Sequence, residues 1–361
     1  MKAAYVYESE KMDIRELPVP QAGAGEALIE IVYAGVCGSD ITMYRGQHPT
    51  ARLPVVLGHE VFGIVREINA PKGATQSGGA SGSHTSGSHA SGGIRPGDRV
   101  AAEPLLFCGE CEACRQGFGN VCGKLRLLGL HLNGAYAQYV TAGVEKLVPI
   151  RTDIPDKLAA LAEPFAVAYH VCARAGLRVG DDALIIGGGP IGNVVAVMAK
   201  AAGANVTVSE PNPVRRATVE ALGLPSIDPV NGDMDELVAK KTGGAGFDVV
   251  IESSGSKAGI LSTTALCKIH GTIVPMALAG TPVDFVLGQV SFKEQTVVGS
   301  RVYPFLHFKR GVETLEKLYA DGRQPLDPLI SDIMPLGEAQ KAVDMMIAGQ
   351  NACKILLDAK K

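Results

Sequence analysis

Four cysteines, Cys108, Cys111, Cys114 and Cys122, have the types and spacing that most directly imply chemistry in this chain. Two residues separate each of the first three, and seven separate the last pair. Four thiolates on one short lobe make a closed tetrahedral shell for a zinc ion. A second constellation is spread more widely: Cys37-Gly38-Ser39-Asp40, Gly58-His59-Glu60 and Glu163-Pro164. Thiolate, imidazole and carboxylate are suitable zinc ligands, and a catalytic zinc keeps one position for water or substrate. Taken singly these residues mean little, since a lone Cys or His is more often structural and Glu-Pro is a common helix start. Their weight comes from standing in one chain with the cysteine lobe.

A third motif is a glycine turn. The apolar run Ala183 to Ile186 leads into Gly187-Gly188-Gly189-Pro190-Ile191-Gly192 and then a helical stretch. In that context Gly187 permits a tight turn, Gly189 lets backbone approach a pyrophosphate, and Gly192 lets helix pack on strand. The helix start offers free N–H groups and the positive end of its dipole. The next strand ends at Glu210, 18 residues after Gly192. A carboxylate there accepts hydrogen bonds from the adenosine ribose and repels a 2′-phosphate. Arg215 and Arg216 follow, so NADP stays open beside the favoured NAD.

The elements that must position these residues fall into two textures. The first ~150 residues read as short strands broken by Gly and Pro, such as Ala27 to Tyr33 and Val61 to Ile68, a β-rich or partly open barrel pattern. The stretch 77–93 is almost all Ser, Gly and Ala, with His84 and His89, and reads as a flexible surface insertion. From Ile154 the chain alternates apolar strands and helices. A helical stretch spans Pro155 to Ala175, with strands at Ala183 to Ile186, Asn205 to Ser209, Phe247 to Glu252 and Thr272 to Met276. Helices are predicted over Ile191 to Ala202 and Val214 to Leu222. That alternation predicts a parallel sheet covered on both faces. The chain leaves it near Val297 to Val302. The tail, with helical stretches Phe308 to Ala320 and Leu336 to Ala348 and a strand Lys354 to Leu357, is predicted to return to the first domain. The expected division is 1–153 with 300–361, holding the zinc lobe at about 104–124, and 154–299.

The 361 residues are 46% hydrophobic and 20% charged, an ordinary globular balance with room for two domains. A net charge of −3 gives no general attraction to nucleic acid or anionic lipid. No apolar run is long enough to span a bilayer, and no signal core precedes the first strand. Eight cysteines, half of them at metal spacing, fit a reducing cytoplasm better than a disulfide framework. Cys172, Cys267 and Cys353 sit among apolar residues and read as core thiols.

Taken together, these motifs resemble the zinc-containing medium-chain dehydrogenase/reductases, in the branch of sorbitol, butanediol and threonine dehydrogenases. Gly97-Asp98-Arg99-Val100 and Gly134-Ala135-Tyr136-Ala137-Gln138-Tyr139 add to the match, which runs over nearly the whole chain outside the Ser/Gly stretch. The resemblance implies an α/β fold: a GroES-like β-rich catalytic domain plus a Rossmann doubly wound parallel sheet. It implies two zinc ions per chain, NAD more than NADP, and a homodimer or homotetramer. It makes Cys37 and His59 zinc ligands, Glu60 a ligand or a group behind the ligands, and Glu163 a ligand directly or through water. Asp40 would orient His59, and Ser39 would start a proton relay. Relatives often have a histidine where this chain has Thr42, so the outer relay must differ or run through water. The implied chemistry is hydride transfer from an alcohol to the nicotinamide, with zinc lowering the hydroxyl pKa. The substrate expected is a secondary alcohol, a polyol or vicinal diol, with threonine or a sugar phosphate as alternatives. A non-enzymatic binding protein of the same fold, or a zinc-ribbon nucleic-acid binder, is the rival class. The intact Cys37, His59 and Glu163 oppose the first. Glu110 and Glu112 beside Arg115 and Lys124 deny the second a basic face.

Overall fold

The computed structural model describes residues 1–48, 50, 52–70, 93–277 and 282–361. The expected insertion 77–93 lies, except for Gly93, outside the described residues. The β-rich part is organised around the strand Glu26–Gly35, which points Ala27, Ile29 and Ile31 into the core. It pairs antiparallel with Glu60–Ile68, Tyr139–Gly143 and Lys354–Asp358 within a seven-stranded sheet. Register fixes the site. Gly35 lies opposite Glu60 on one side and Leu356 on the other. Cys37, His59-Glu60 and Lys354 therefore meet at one end of the sheet, although about 300 residues separate the first from the last. The tail thus returns to the first sheet, as its sequence predicted.

The second sheet has six strands, all parallel, in the order Ser226–Ile227, Asn205–Ser209, Asp182–Ile186, Phe247–Glu252, Cys267–Pro275, Thr296–Val297. Numbered along the chain this is 3-2-1-4-5-6, a doubly wound sheet whose strands change direction of progression beside Asp182–Ile186. Strand ends facing that switch point carry the glycine turn. The short edge strands at 226–227 and 296–297 escaped the sequence reading, because two residues carry no periodicity. The predicted helical stretch Pro155 to Ala175 is divided into Asp156–Ala159 and Ala162–Ala175. The restart suits Pro164, whose missing N–H falls in the first turn, where no intrahelical bond is due.

Helix Ala162–Ala175 carries Glu163 in its first turn and packs along Phe305–Asp321. Their approach depends on Gly311: a Cβ there would lie 2.6 Å from Cα and N of Ala166, which are backbone atoms unable to swing aside. Gly311→Ala should therefore lower stability by roughly 1–3 kcal/mol, read as a drop in the denaturation midpoint. Near the same interface, His170 Nδ1 and His307 Nδ1 are 2.9 Å apart, a contact in which one ring must accept the proton the other donates. Burial, with repulsion from His307 and Arg174, pushes His170 from 6.5 down to about 4. The unfolded chain then binds more protons than the folded one at acid pH. The pair's contribution is complete above about pH 6.5 and is lost as pH falls toward 4. His170→Asn should flatten that part of the stability profile relative to the unmodified chain, measured by thermal unfolding from pH 7 to 4.

Candidate active site

Cys37 is the N-cap of the helix Gly38–Tyr44, with an extended backbone at φ −116° and ψ 155°. Asp40, three residues on, accepts a hydrogen bond from the Cys37 N–H at 2.9 Å, so the helix start also places the thiol. The same carboxylate stands 3.2 Å from Nδ1 of His59 and accepts the Tyr136 hydroxyl at 2.8 Å. All three side chains are buried. With Nδ1 held by Asp40, Nε2 of His59 is left to face the site. Burial opposes a charge on His59, yet Asp40 and Cys37 outweigh it and raise the imidazole well above 6.5. The same contacts hold Asp40 below its ordinary value despite its burial. A metal bound at His59 must displace that proton.

Ligand atoms of Cys37, His59 and Glu60 all lie within 4.8 Å of one another. Glu60 reaches this trio beneath Gly35, where any Cβ would overlap its Oε2. One oxygen of Glu60 accepts from Lys354 Nζ at 2.6 Å, while Oε2 is buried without a hydrogen-bond partner among the described residues. An orphaned carboxylate oxygen beside a thiol and an imidazole is a donor set that fits zinc. Glu163 stands outside the trio. Its Oε1 accepts the Tyr303 hydroxyl at 2.7 Å, and burial pushes its pKa up to about 7, with Glu60 adding repulsion against the attraction of His59. Tyr303 is delivered by a strained neighbour: Val302 has φ 39°, which a β-branched residue rarely adopts. Ser39 Oγ is 3.5 Å from His59 Nε2. Thr42, where relatives often have a histidine, instead turns back on its own helix, with Oγ1 donating to the Gly38 carbonyl at 3.3 Å.

The cysteine lobe closes as its spacing predicted. Sγ of Cys111 lies 3.4 Å from Cys114 and 3.8 Å from Cys122, and Cys108 lies 3.5 Å from Cys122 and 3.9 Å from Cys114. Four sulfurs at ~2.3 Å from one tetrahedral ion stand about 3.8 Å apart, so this shell fits zinc without rearrangement.

At the glycine turn Gly187 takes φ 106°, and a Cβ on Gly192 would sit 1.9 Å from the Gly187 carbonyl. Gly189 caps the helix Pro190–Ala201, with Pro190 at its first position and Ile191 next. Space beside Gly189 is open as far as Arg215 Nη1, 3.8 Å from an added Cβ. Glu210 is buried, and its two oxygens accept from the N–H groups of Gly188 and Asn212, both at 2.8 Å. A carboxylate has further lone pairs for two ribose hydroxyls. Arg215 reaches across to Asn351, with Nε 3.4 Å from its carbonyl. Arg216 caps the Glu210 and Pro211 carbonyls and pairs with Asp228 at 3.2 Å. Sequence reasoning missed Lys354 and Tyr303 and gave Tyr136 no role. A lone lysine opening an apolar strand, Lys354 to Leu357, was the available signal for the first.

Comparison with known proteins agrees with this geometry. Residues 23–152 match the alcohol dehydrogenase GroES-like domain, and residues 190–317 match the zinc-binding dehydrogenase domain. The chain is 34% identical to a 2-dehydro-3-deoxy-L-galactonate 5-dehydrogenase of Pseudoalteromonas atlantica, covering 93% of this chain and 92% of that protein. It is 32% identical to an L-galactonate-5-dehydrogenase of Escherichia coli, covering 89% and 87%. A solved zinc-binding dehydrogenase of Sinorhizobium meliloti with bound NADP superposes with a TM-score of 0.85 at 30% identity, covering 99% and 98%. Among the described residues no helix is long and apolar enough to cross a membrane. The chain belongs to the zinc-type medium-chain dehydrogenases of the sorbitol and threonine dehydrogenase branch, and is an alcohol oxidoreductase that works with zinc and a nicotinamide cofactor.

Proposed function

We propose that the chain oxidises a secondary hydroxyl of a polyol-type substrate with NAD, at a zinc site made by Cys37, His59 and either Glu60 or Glu163. The observation that carries this reading is the convergence of the first three residues' ligand atoms within 4.8 Å, with Glu60 Oε2 left unpaired. Zinc held there would supply Lewis acidity that lowers the pKa of a substrate hydroxyl, and a bound nicotinamide would be the hydride acceptor. The chain's own groups do the rest. Asp40 fixes the His59 tautomer, Lys354 balances Glu60, Tyr303 holds Glu163, and Ser39 beside His59 passes the hydroxyl proton to water. A site with two buried carboxylates is polar, and a purely alkyl substrate would leave them poorly paired. The relatives named for galactonates support a polyhydroxylated chain. L-threonine and sugar phosphates remain the second reading. We take 1–153 with 300–361 as the catalytic domain, 154–299 as the cofactor domain, and the cysteine lobe as a second, structural zinc site.

The medium-chain resemblance also supports self-association as a dimer or tetramer. Leu287 and Phe292, 69% and 91% exposed near the edge strand Thr296–Val297, suit such a contact. A cytoplasmic setting follows from the reading of the thiols.

Each element has its own assay. A panel of simple alcohols, diols, polyols, sugar phosphates and hydroxy amino acids should favour polyhydroxylated secondary alcohols; preference for unbranched primary alcohols overturns the reading. Zinc content should be about two per chain. Cys37→Ser or His59→Ala should abolish turnover and remove one zinc while cofactor binding stays measurable, whereas full activity in either variant contradicts the catalytic assignment. Cys111→Ser should lose the other zinc and much of the thermal stability. A Cys111→Ser protein with full zinc and unchanged melting would refute the structural site. Glu210 is read as the ribose acceptor. Glu210→Ala should narrow the NAD over NADP preference, measured as kcat/KM with each cofactor, and equal efficiency with both in the unmodified enzyme would sink that assignment.

A further inference from the structure

The Gly188–Gly189 peptide lies between two glycines, so backbone sterics leave it free to turn over. Its orientation nevertheless decides what the glycine turn can bind. Of the N–H groups at 187–190, that of Gly187 is bound to the Ser209 carbonyl and that of Gly188 to Glu210, each at 2.8 Å. Pro190 has none. The Gly189 N–H is the donor left over, with no hydrogen bond to any described residue. In a trans peptide the N–H points opposite to the carbonyl it follows. The Gly188 carbonyl accepts from Nδ2 of Asn193 at 3.0 Å, and Asn193 is fully buried in the helix Pro190–Ala201. The Gly189 N–H is thereby turned away from the core. Nδ2 of Asn193 also lies 3.6 Å from Sγ of Cys353, so the segment before Lys354 helps to fix the amide's rotamer. Oδ1 of Asn193 has no partner among the described residues. A buried amide oxygen left unpaired costs stability, and a leucine at this helical position would carry no such atom and have the better helix propensity. Packing therefore does not account for the asparagine, whereas its bond to Gly188 does.

We propose that Asn193 is a positioning residue for the cofactor, holding the Gly188 carbonyl inward so that the Gly189 N–H faces the pyrophosphate. This rests on the reading of the turn from Gly187 to Gly192 as the cofactor's seat. Without the amide, the Gly188 carbonyl loses its buried partner, and turning the peptide over brings that carbonyl to water. The same rotation withdraws the N–H from the phosphate oxygens and puts a carbonyl oxygen, itself partly negative, in its place. The effect is confined to ligands that carry the pyrophosphate. The adenosine ribose is read as binding at Glu210, which holds the N–H of Gly188 and so the preceding peptide, not the one that Asn193 controls.

The test uses the zinc-loaded protein and three ligands, NADH, ADP-ribose and adenosine, with dissociation constants measured by calorimetry. Asn193→Leu should weaken NADH and ADP-ribose by the same factor, roughly 10- to 100-fold, the range for losing one hydrogen bond to a charged group. Adenosine should bind as it does to the unmodified protein. Asn193→Ala, which is too small to clash, should reproduce the loss and its restriction to the two pyrophosphate compounds. Thermal unfolding of each variant without cofactor separates this from a structural role. A lowered melting temperature with an unchanged ratio of ADP-ribose to adenosine affinity makes Asn193 a packing residue and overturns the proposal. An equal loss for all three ligands overturns it as well, since a distorted pocket does not distinguish them. Unchanged affinities in both variants overturn the proposal and leave the cofactor reading of the turn standing. Failure of the unmodified protein to bind either NADH or ADP-ribose overturns that reading, and the proposal with it.

Discussion

The ion pair between Lys354 and Glu60 joins the two ends of the β-rich part, at 2.6 Å and almost fully out of water. Lys354 opens the C-terminal strand Lys354–Asp358, and Glu60 follows His59, one of the candidate metal-binding residues. Burying two charges costs several kcal/mol each, and their mutual attraction offsets this only when the geometry is good and the remaining hydrogen-bonding capacity is used. Lys354 meets that condition by also donating to the Val36 carbonyl at 3.2 Å, next to Cys37. Glu60 does not, because Oε2 has no described partner. That residual cost is what a metal cation bound beside Cys37 and His59 would remove. Gly35 completes the arrangement, since any larger residue would occupy the space of the carboxylate.

Polar cooperation continues outward from this pair through contacts of different strength. On one side His59, Asp40 and Tyr136 form a buried row, with each hydrogen bond fixing the orientation of the next group. On the other, Tyr303 presents its hydroxyl to Glu163 from a backbone strained at Val302. The helix with Glu163 in its first turn packs on the helix that follows Tyr303. Arg215 adds a further bridge by reaching Asn351, three residues before Lys354. The glycine turn's neighbour Arg215 and the C-terminal strand that carries Lys354 are thus linked by a direct contact.

Much of this was legible in the sequence, for a physical reason. Metal shells and dinucleotide turns depend on residue type at short spacing, and Cys108 to Cys122 and Gly187 to Gly192 each lie within one local segment. Parallel strands buried on both faces read as continuous apolar runs, so Asn205–Ser209 and Phe247–Glu252 were found with their observed bounds. What was not legible depends on register between distant strands. Lys354 meets Glu60 only because Gly35 pairs with both their strands. Tyr303 meets Glu163 across 140 residues. Neither pairing leaves a periodic mark. The restart at Ala162 was hidden as well, because an alanine-rich run has helical propensity on both sides of the break.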